Sequence, residues 1–243
     1  MRCRPLGAAL LVPAALAAAP AAVISFSSLT PGSAPAAAWR ELVPPRAKAP
    51  SFALVDENGT TVLRVRSEAA AGTLAQTLHE DLAARNVLAW RWKIDHVVAK
   101  GDLAAKSGDD FAARVYAFFD VPVSRLPFSA RVRILLARLL YGSQLPTTAI
   151  CYVWDNRHPV GTSAWSPYTD RVRVVVLESG DSRAGRWVPE RRDLVADYRL
   201  AFGDEGPLPA LSGIAAGNDT DQTGERATAW FGDFRLEAAG GAR

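Results

Sequence analysis

The chain has 243 residues, 49% of them hydrophobic and 22% charged, which suits one globular domain with a sizeable core. Its formal net charge is only +3, and Arg2 and Arg4 supply two of those charges ahead of the first acidic residue, Glu41. No dense Lys/Arg block occurs, so a nucleic-acid binder that works by charge is excluded.

The first residues read as a secretory signal: a positive start in "MRCRPLG", an Ala-rich apolar stretch, then the small residues "GSA" and "AAA". Residues 1–34 are assigned to this signal, with cleavage expected between Ala19 and Ala38. Pro13 and Pro20 break the apolar stretch, which argues against a stable membrane anchor, and no later stretch is long and apolar enough to span a bilayer. A periplasmic or secreted location follows as an expectation. Residues 35–50, rich in Pro and Ala, are read as a lead-in, and 51–238 as the folded domain.

The strand signals begin at Ser51. "SFALVDENGTTVLRVRS" predicts a hairpin around Asn58-Gly59. In "NVLAWRWKID", Leu88, Trp90, Trp92 and Ile94 alternate with polar residues. "FAARVYAFFD", "TTAICYVWD", "RVRVVVLES", "LSGIAAGND" and "ATAWFGDFRLE" continue the period of two. Two stretches have helical spacing instead: Ser129 to Leu140, and Val188 to Gly203, where Pro189 suits a first turn and Gly203 an end. About eight strands with two short helices in the connections predict an all-β fold, a jelly-roll-like β-sandwich.

Cys151, the one cysteine left after the leader, lies in an apolar strand and reads as a buried small hydrophobe. There is no G-x-S-x-G elbow, H-E-x-x-H pair, C-x-x-C pair or Walker loop, which removes the reactions built on them. His79, His96 and His158 are scattered, as surface or turn histidines are.

The stretches "WRWKID", "KSGDDFAARVYAFFD", "CYVWDNRHPVGT", "SPYTDRVRVVVLESG", "ERRDLVADYRLAFG" and "NDTDQTGERATAWFGDFRL" occur in that order. Through them the chain, from about Val87 to Leu236, resembles the bacterial domain of unknown function 3047 family. That resemblance implies an exported or envelope-associated bacterial protein and brings no mechanism or functional residues. The layout is also similar to jelly-roll carbohydrate-binding modules of the galactose-binding-like type, whose final strand bears an Asp, as "WFGDFRL" does here, in a region that in many of them helps to hold a structural calcium.

Two candidate sites emerge. Asp219, Asp221 and Glu225, with Asp233 in the final strand, offer hard oxygen ligands of the kind calcium takes, although the same residues also suit a plain turn. Asp109 and Asp110 in "KSGDD" would point to opposite faces if a strand has already begun there. Arg114 with Tyr116, Tyr152 with Trp154, and Arg171 with Arg173 each share a strand face. If those faces coincide, one surface carries rings that stack on sugars and arginines that bind carboxylate or phosphate. The expected function is therefore a non-catalytic sandwich that binds a carbohydrate or other envelope ligand. The alternatives are a polysaccharide lyase or glycosidase that uses a pair such as Asp109 with Asp219 or Asp221, and a structural envelope protein that docks on a partner.

Overall fold

The computed structural model describes residues 23–35, 37–126, 128, 131, 146–203 and 206–239. In chain order its strands are β1 (Trp39–Leu42), β2 (Ser51–Asp56), β3 (Thr61–Glu68), β4 (Ala71–Glu80), β5 (Val87–Ile94) and β6 (Phe111–Phe119). They continue with β7 (Thr148–Asp155), β8 (Ser163–Ser166), β9 (Thr169–Ser179) and β10 (Val188–Asp193). Helix α1 (Leu194–Phe202) precedes β11 (Leu211–Asp219), β12 (Arg226–Phe231) and β13 (Arg235–Glu237).

The strands form two sheets. The seven-stranded sheet has the order β1-β4-β11-β6-β7-β9-β8, and the six-stranded sheet β10-β5-β12-β3-β2, with β13 also on β5. Neighbouring strands are antiparallel except β7 and β9, which run parallel because the chain leaves β7 for the edge strand β8 and returns between them. The result is the all-β sandwich that the alternating sequence predicts.

The hairpin at Asn58-Gly59 forms with both residues at positive φ, 56° and 80°, the backbone a tight two-residue turn requires. On β5 the side chains of Leu88, Trp90, Trp92 and Ile94 are all buried. Trp90 meets Tyr152 of β7 at 5.5 Å between ring centroids, and Trp92 meets Trp154 at 5.8 Å, so these four rings join the inner faces of the two sheets.

Strand β4 escaped the sequence reading because its inward row is Leu74, Gln76, Leu78 and Glu80, half of it polar. Those polar groups are satisfied by partners outside the strand. Gln76 accepts from the Ile24 N–H at 3.0 Å and Glu80 pairs with Arg85 at 2.6 Å.

The stretch expected as one helix from Val188 to Gly203 divides. Its first part pairs with β5 as β10, Val188 opposite Trp92 and Asp193 opposite Val87. Alternation decides this: Val188 is buried, Glu190 and Arg192 are half-buried, and Pro189 and Arg191 are exposed. The helix starts only at Leu194, where the Asp193 carboxylate accepts from the Val195 and Ala196 N–H groups. Gly203 ends it, as expected, with φ 94°. Of the helix expected over Ser129 to Leu140, all but Arg131 lies outside the described residues.

The N-terminal side contributes to the same body. Trp39–Leu42, within the stretch read as a lead-in, pairs with β4 as an edge strand. Phe26 is fully buried, 4.8 Å from Trp39 and 6.2 Å from Phe234 between ring centroids. Among the described residues no helix is long and apolar enough to cross a membrane.

Candidate ligand groove and its acidic wall

The three expected Arg/aromatic pairs lie on neighbouring strands, but their faces do not coincide. Opposite Arg114 on β6 stands Val153 of β7, and opposite Tyr116 stands Cys151. Tyr152 and Trp154 therefore point to the other side of the sheet, into the core, and both are fully buried. The Tyr152 hydroxyl donates to Asp197 at 2.7 Å and the Trp154 indole N–H to the Gly180 carbonyl at 3.0 Å. Arg173 of β9 aligns with Ile150, on the core side of the sheet, where it lies over Trp165 at 4.9 Å and donates to Ser163 Oγ at 2.6 Å. Arg171, two residues earlier, shares that side and lines a cavity of about 220 Å³ with Tyr198 and Phe202 of α1. Tyr152, Trp154, Arg171 and Arg173 thus leave the surface that the sequence pattern had assembled, and Arg114 and Tyr116 remain on it.

On that outer face Arg114 organises a cluster. Its side chain is buried; Nε donates to Asp219 Oδ1 at 2.7 Å and Nη2 lies 2.6 Å from Asp219 Oδ2. Nη1 donates to the Tyr116 hydroxyl at 3.1 Å, and Nη2 also donates to the Asp109 carbonyl and lies 3.5 Å from Asp109 Oδ1. Burial pushes the Asp219 carboxyl well above the usual carboxylate range; Arg114 pulls it back, and Asp109 and Asp110 raise it further. Burial likewise raises Asp109 and Asp221. Cys151, beneath the cluster, has its thiol pushed up to about 12 by burial, the behaviour of an inert small hydrophobe.

The acidic residues sort differently from the calcium set read in the sequence. Asp219 and Asp221 do converge, with Asp110 as the third member; one ligand atom from each lies within 4.8 Å of the others. Glu225 and Asp233 serve elsewhere. Glu225 accepts from the Ala99 and Lys100 N–H groups at 3.0 and 2.8 Å, pinning the loop after β5. Asp233 accepts from the Ser27 N–H at 2.9 Å and from its hydroxyl, holding the N-terminal segment. Asp219 gives both oxygens to Arg114, and Asp110 accepts from the Gln222 and Thr223 N–H groups at 3.4 and 2.6 Å. Most of this acidity therefore closes the loop 219–225, and the guanidinium supplies the positive charge that a cation would otherwise bring. Asp221 Oδ1 is buried without a hydrogen-bond partner.

Asp109 and Asp110 are both buried and both reach this cluster, because the strand starts only at Phe111 and Asp109 still belongs to the end of a 3₁₀ turn. The alternation expected of strand residues does not apply to them.

Above the cluster two adjoining cavities, of about 480 and 530 Å³, form one groove. They share Arg114, Tyr116, Asp219 and the Pro44-Pro45 pair. The groove floor carries the Tyr116 and Phe118 rings, stacked at 5.5 Å with an 11° interplanar angle. Tyr168, 54% exposed, stands at one end, its hydroxyl donating to the Lys106 carbonyl at 3.0 Å. Phe118 and the Pro44-Pro45 strap did not register as site residues in the sequence. The first sits in a strand pattern that fits either face, and the second reads as linker.

Among solved structures the chain is similar to a family 30 carbohydrate-binding module of a Clostridium thermocellum cellulosomal cellulase, at 13% identity and TM-score 0.42, covering 91% of this chain and 99% of that one. It is similar to a structure described as one of the family 12 glycoside hydrolases, at 11% identity and TM-score 0.46, covering 85% and 96%. It is also similar to the xyloglucanase domain of a Sinorhizobium fredii type three effector, at 10% identity and TM-score 0.42, covering 91% and 99%. A search of curated proteins finds no match. The family described as "Protein of unknown function (DUF3047)" matches residues 37–235, most of the chain, and the chain belongs to that family.

Proposed function

We propose that this chain is an exported, non-catalytic β-sandwich that binds a carbohydrate or related envelope ligand in the groove over the outer face of the seven-stranded sheet. One observation carries the reading: an open groove whose floor is a stacked Tyr116–Phe118 pair and whose wall is the Arg114–Asp219 network. Aromatic faces take the C–H face of a sugar ring, and the neighbouring polar groups take its hydroxyls. Export rests on the N-terminal sequence alone. Tyr168 and Phe118 replace Tyr152, Trp154, Arg171 and Arg173 as the side chains that would meet the ligand.

A glycosidase or lyase is the second reading, favoured by the convergence of Asp110, Asp219 and Asp221. The hydrogen bonds weigh against it. Asp219 is committed to Arg114 and Asp110 to backbone N–H groups, which removes the pair Asp109 with Asp219 and leaves only Asp109 with Asp221, each burying one oxygen without a hydrogen-bond partner. The test is binding of the full chain to a broad set of envelope glycans, followed by a search for new reducing or unsaturated ends. Saturable binding weakened about tenfold in Tyr168→Ala supports the groove. New chain ends would replace it with the enzyme reading, and a blank glycan set would sink both.

A further inference from the structure

The six-stranded sheet carries a second cleft, of about 630 Å³, on its own outer face. On β3, Arg64 and Arg66 alternate with the buried Val65 and so point away from the core. On β12, Arg226 and Thr228 alternate in the same way with the buried Ala227 and Ala229. The register sets Arg66 opposite Thr228 and Glu68 opposite Arg226, which makes Arg66 and Arg226 diagonal neighbours. Lys48 adds a fourth cation at the rim, its ammonium donating to the Glu68 carbonyl at 3.4 Å.

Among the described residues the three arginines, Arg64, Arg66 and Arg226, make no ion pair within the protein, although Glu68 stands opposite Arg226 on the neighbouring strand. Of the two carboxylates in the cleft, Asp95 is occupied with the Thr228 and His96 N–H groups, at 2.8 and 2.9 Å. Arg64 Nε is buried and has no hydrogen-bond partner, a cost that a neighbouring acceptor would remove. Like charges held side by side on a sheet face destabilise it, whereas a planar oxyanion accepts two parallel N–H bonds from one guanidinium.

We propose that this cleft is an anion site, in which Arg64, Arg66 and Arg226 take a phosphate or carboxylate group of a small molecule or an acidic saccharide. The site is separate from the groove and stands whether or not the groove binds a neutral sugar. Glu68 and Asp95 at its rim would repel a continuous phosphodiester backbone, which favours a single oxyanion over a nucleic acid.

The test titrates the full chain with inorganic phosphate and, separately, with glucuronate, at constant ionic strength set with sodium chloride, and reads heat and thermal midpoint. Either anion is expected to bind saturably, and the arm that binds more tightly identifies the oxyanion. Arg66→Gln and Arg226→Gln should each weaken binding about tenfold or more. Arg66→Lys should recover only part of it, because an ammonium keeps the charge and loses the fork. Arg40→Gln, which removes one exposed charge from β1 on the other sheet, should leave binding unchanged. Arg66 is itself exposed, so its variants are expected to fold; unfolding in urea checks this. Failure of both anions to bind would overturn the proposal, as would binding that Arg66→Gln and Arg226→Gln leave intact.

Discussion

Arg114 grips Asp219 through both carboxylate oxygens, Nε to Oδ1 at 2.7 Å and Nη2 to Oδ2 at 2.6 Å, with both side chains largely withdrawn from water. Removing one partner strands the other. Arg114→Met is expected to cost about 3–5 kcal/mol in urea unfolding at pH 7, whereas the double change Arg114→Met with Asp219→Leu should cost much less. Without the guanidinium the Asp219 carboxyl keeps its proton to still higher pH in the folded state. The loss in Arg114→Met should therefore shrink as pH falls through the raised range of that carboxyl. Equal losses in the single and double variants would show that the pair is incidental.

Tyr152 and Trp154 are expected to behave as core. Trp154→Ala should destabilise by about 3–5 kcal/mol. Tyr152→Phe should cost about 1–2 kcal/mol, because it removes only the hydrogen bond to Asp197, which Arg192 still holds. Thermal or urea unfolding measures both. Tyr152→Phe is also expected to leave ligand binding untouched; altered affinity in a stably folded Tyr152→Phe protein would return that residue to the site.

Glu190 sets a pH dependence. Burial, helped by Glu178, raises its carboxyl from 4.5 to about 7, while the Trp92 indole N–H donates to it at 3.2 Å. A carboxyl whose folded pKa is raised stabilises most when protonated, so its contribution is present below about pH 4.5 and declines as pH rises through 7. Glu190→Gln keeps an acceptor for Trp92 and removes that decline. The variant should gain about 1–2 kcal/mol over the parent at pH 8, after discount for its partly exposed edge, and little at pH 4.5. Unfolding series at the two pH values decide the matter, and a parallel offset at both would reject it.

Phe26 makes a prediction about processing. It is fully buried between Trp39 and Phe234, and its neighbour Ser27 is held by Asp233. An exported form is expected to begin no later than Val23, at the early edge of the cleavage range read from the sequence. Terminal sequencing of the secreted chain checks this. Phe26→Ala should cost about 3–5 kcal/mol. A mature terminus beyond Phe26 on a stable protein would contradict the packing argument.

The sandwich was legible because its strands on the inner faces obey the period of two, as Leu88 to Ile94 show. Where an inward row holds Gln76 and Glu80, the pattern fails and β4 went unseen, since only tertiary partners reveal that those polar groups are satisfied. Val188 to Asp193 failed for the opposite reason: local helix signals at Pro189 and Gly203 were real, but pairing with β5 overrode the first. In the site, Arg114, Tyr116, Asp219 and Asp221 were legible as residue types. Their company was not, because which face of β6 meets which face of β7 depends on a register that no single strand encodes.

The pairing of β4 with β11 has a kinetic consequence. Next to that ladder, the Ala70 N–H donates to Thr220 across a separation of 150 residues. The middle of the seven-stranded sheet therefore cannot close until nearly the whole chain has been made. Folds dominated by such distant contacts form slowly, since loop closure must precede any reward from pairing. The N-terminal half alone should stay open and sticky, with β4 flanked on one side only by the short β1. If the chain is exported as proposed, that delay keeps it an extended thread for longer and so keeps the window for translocation open.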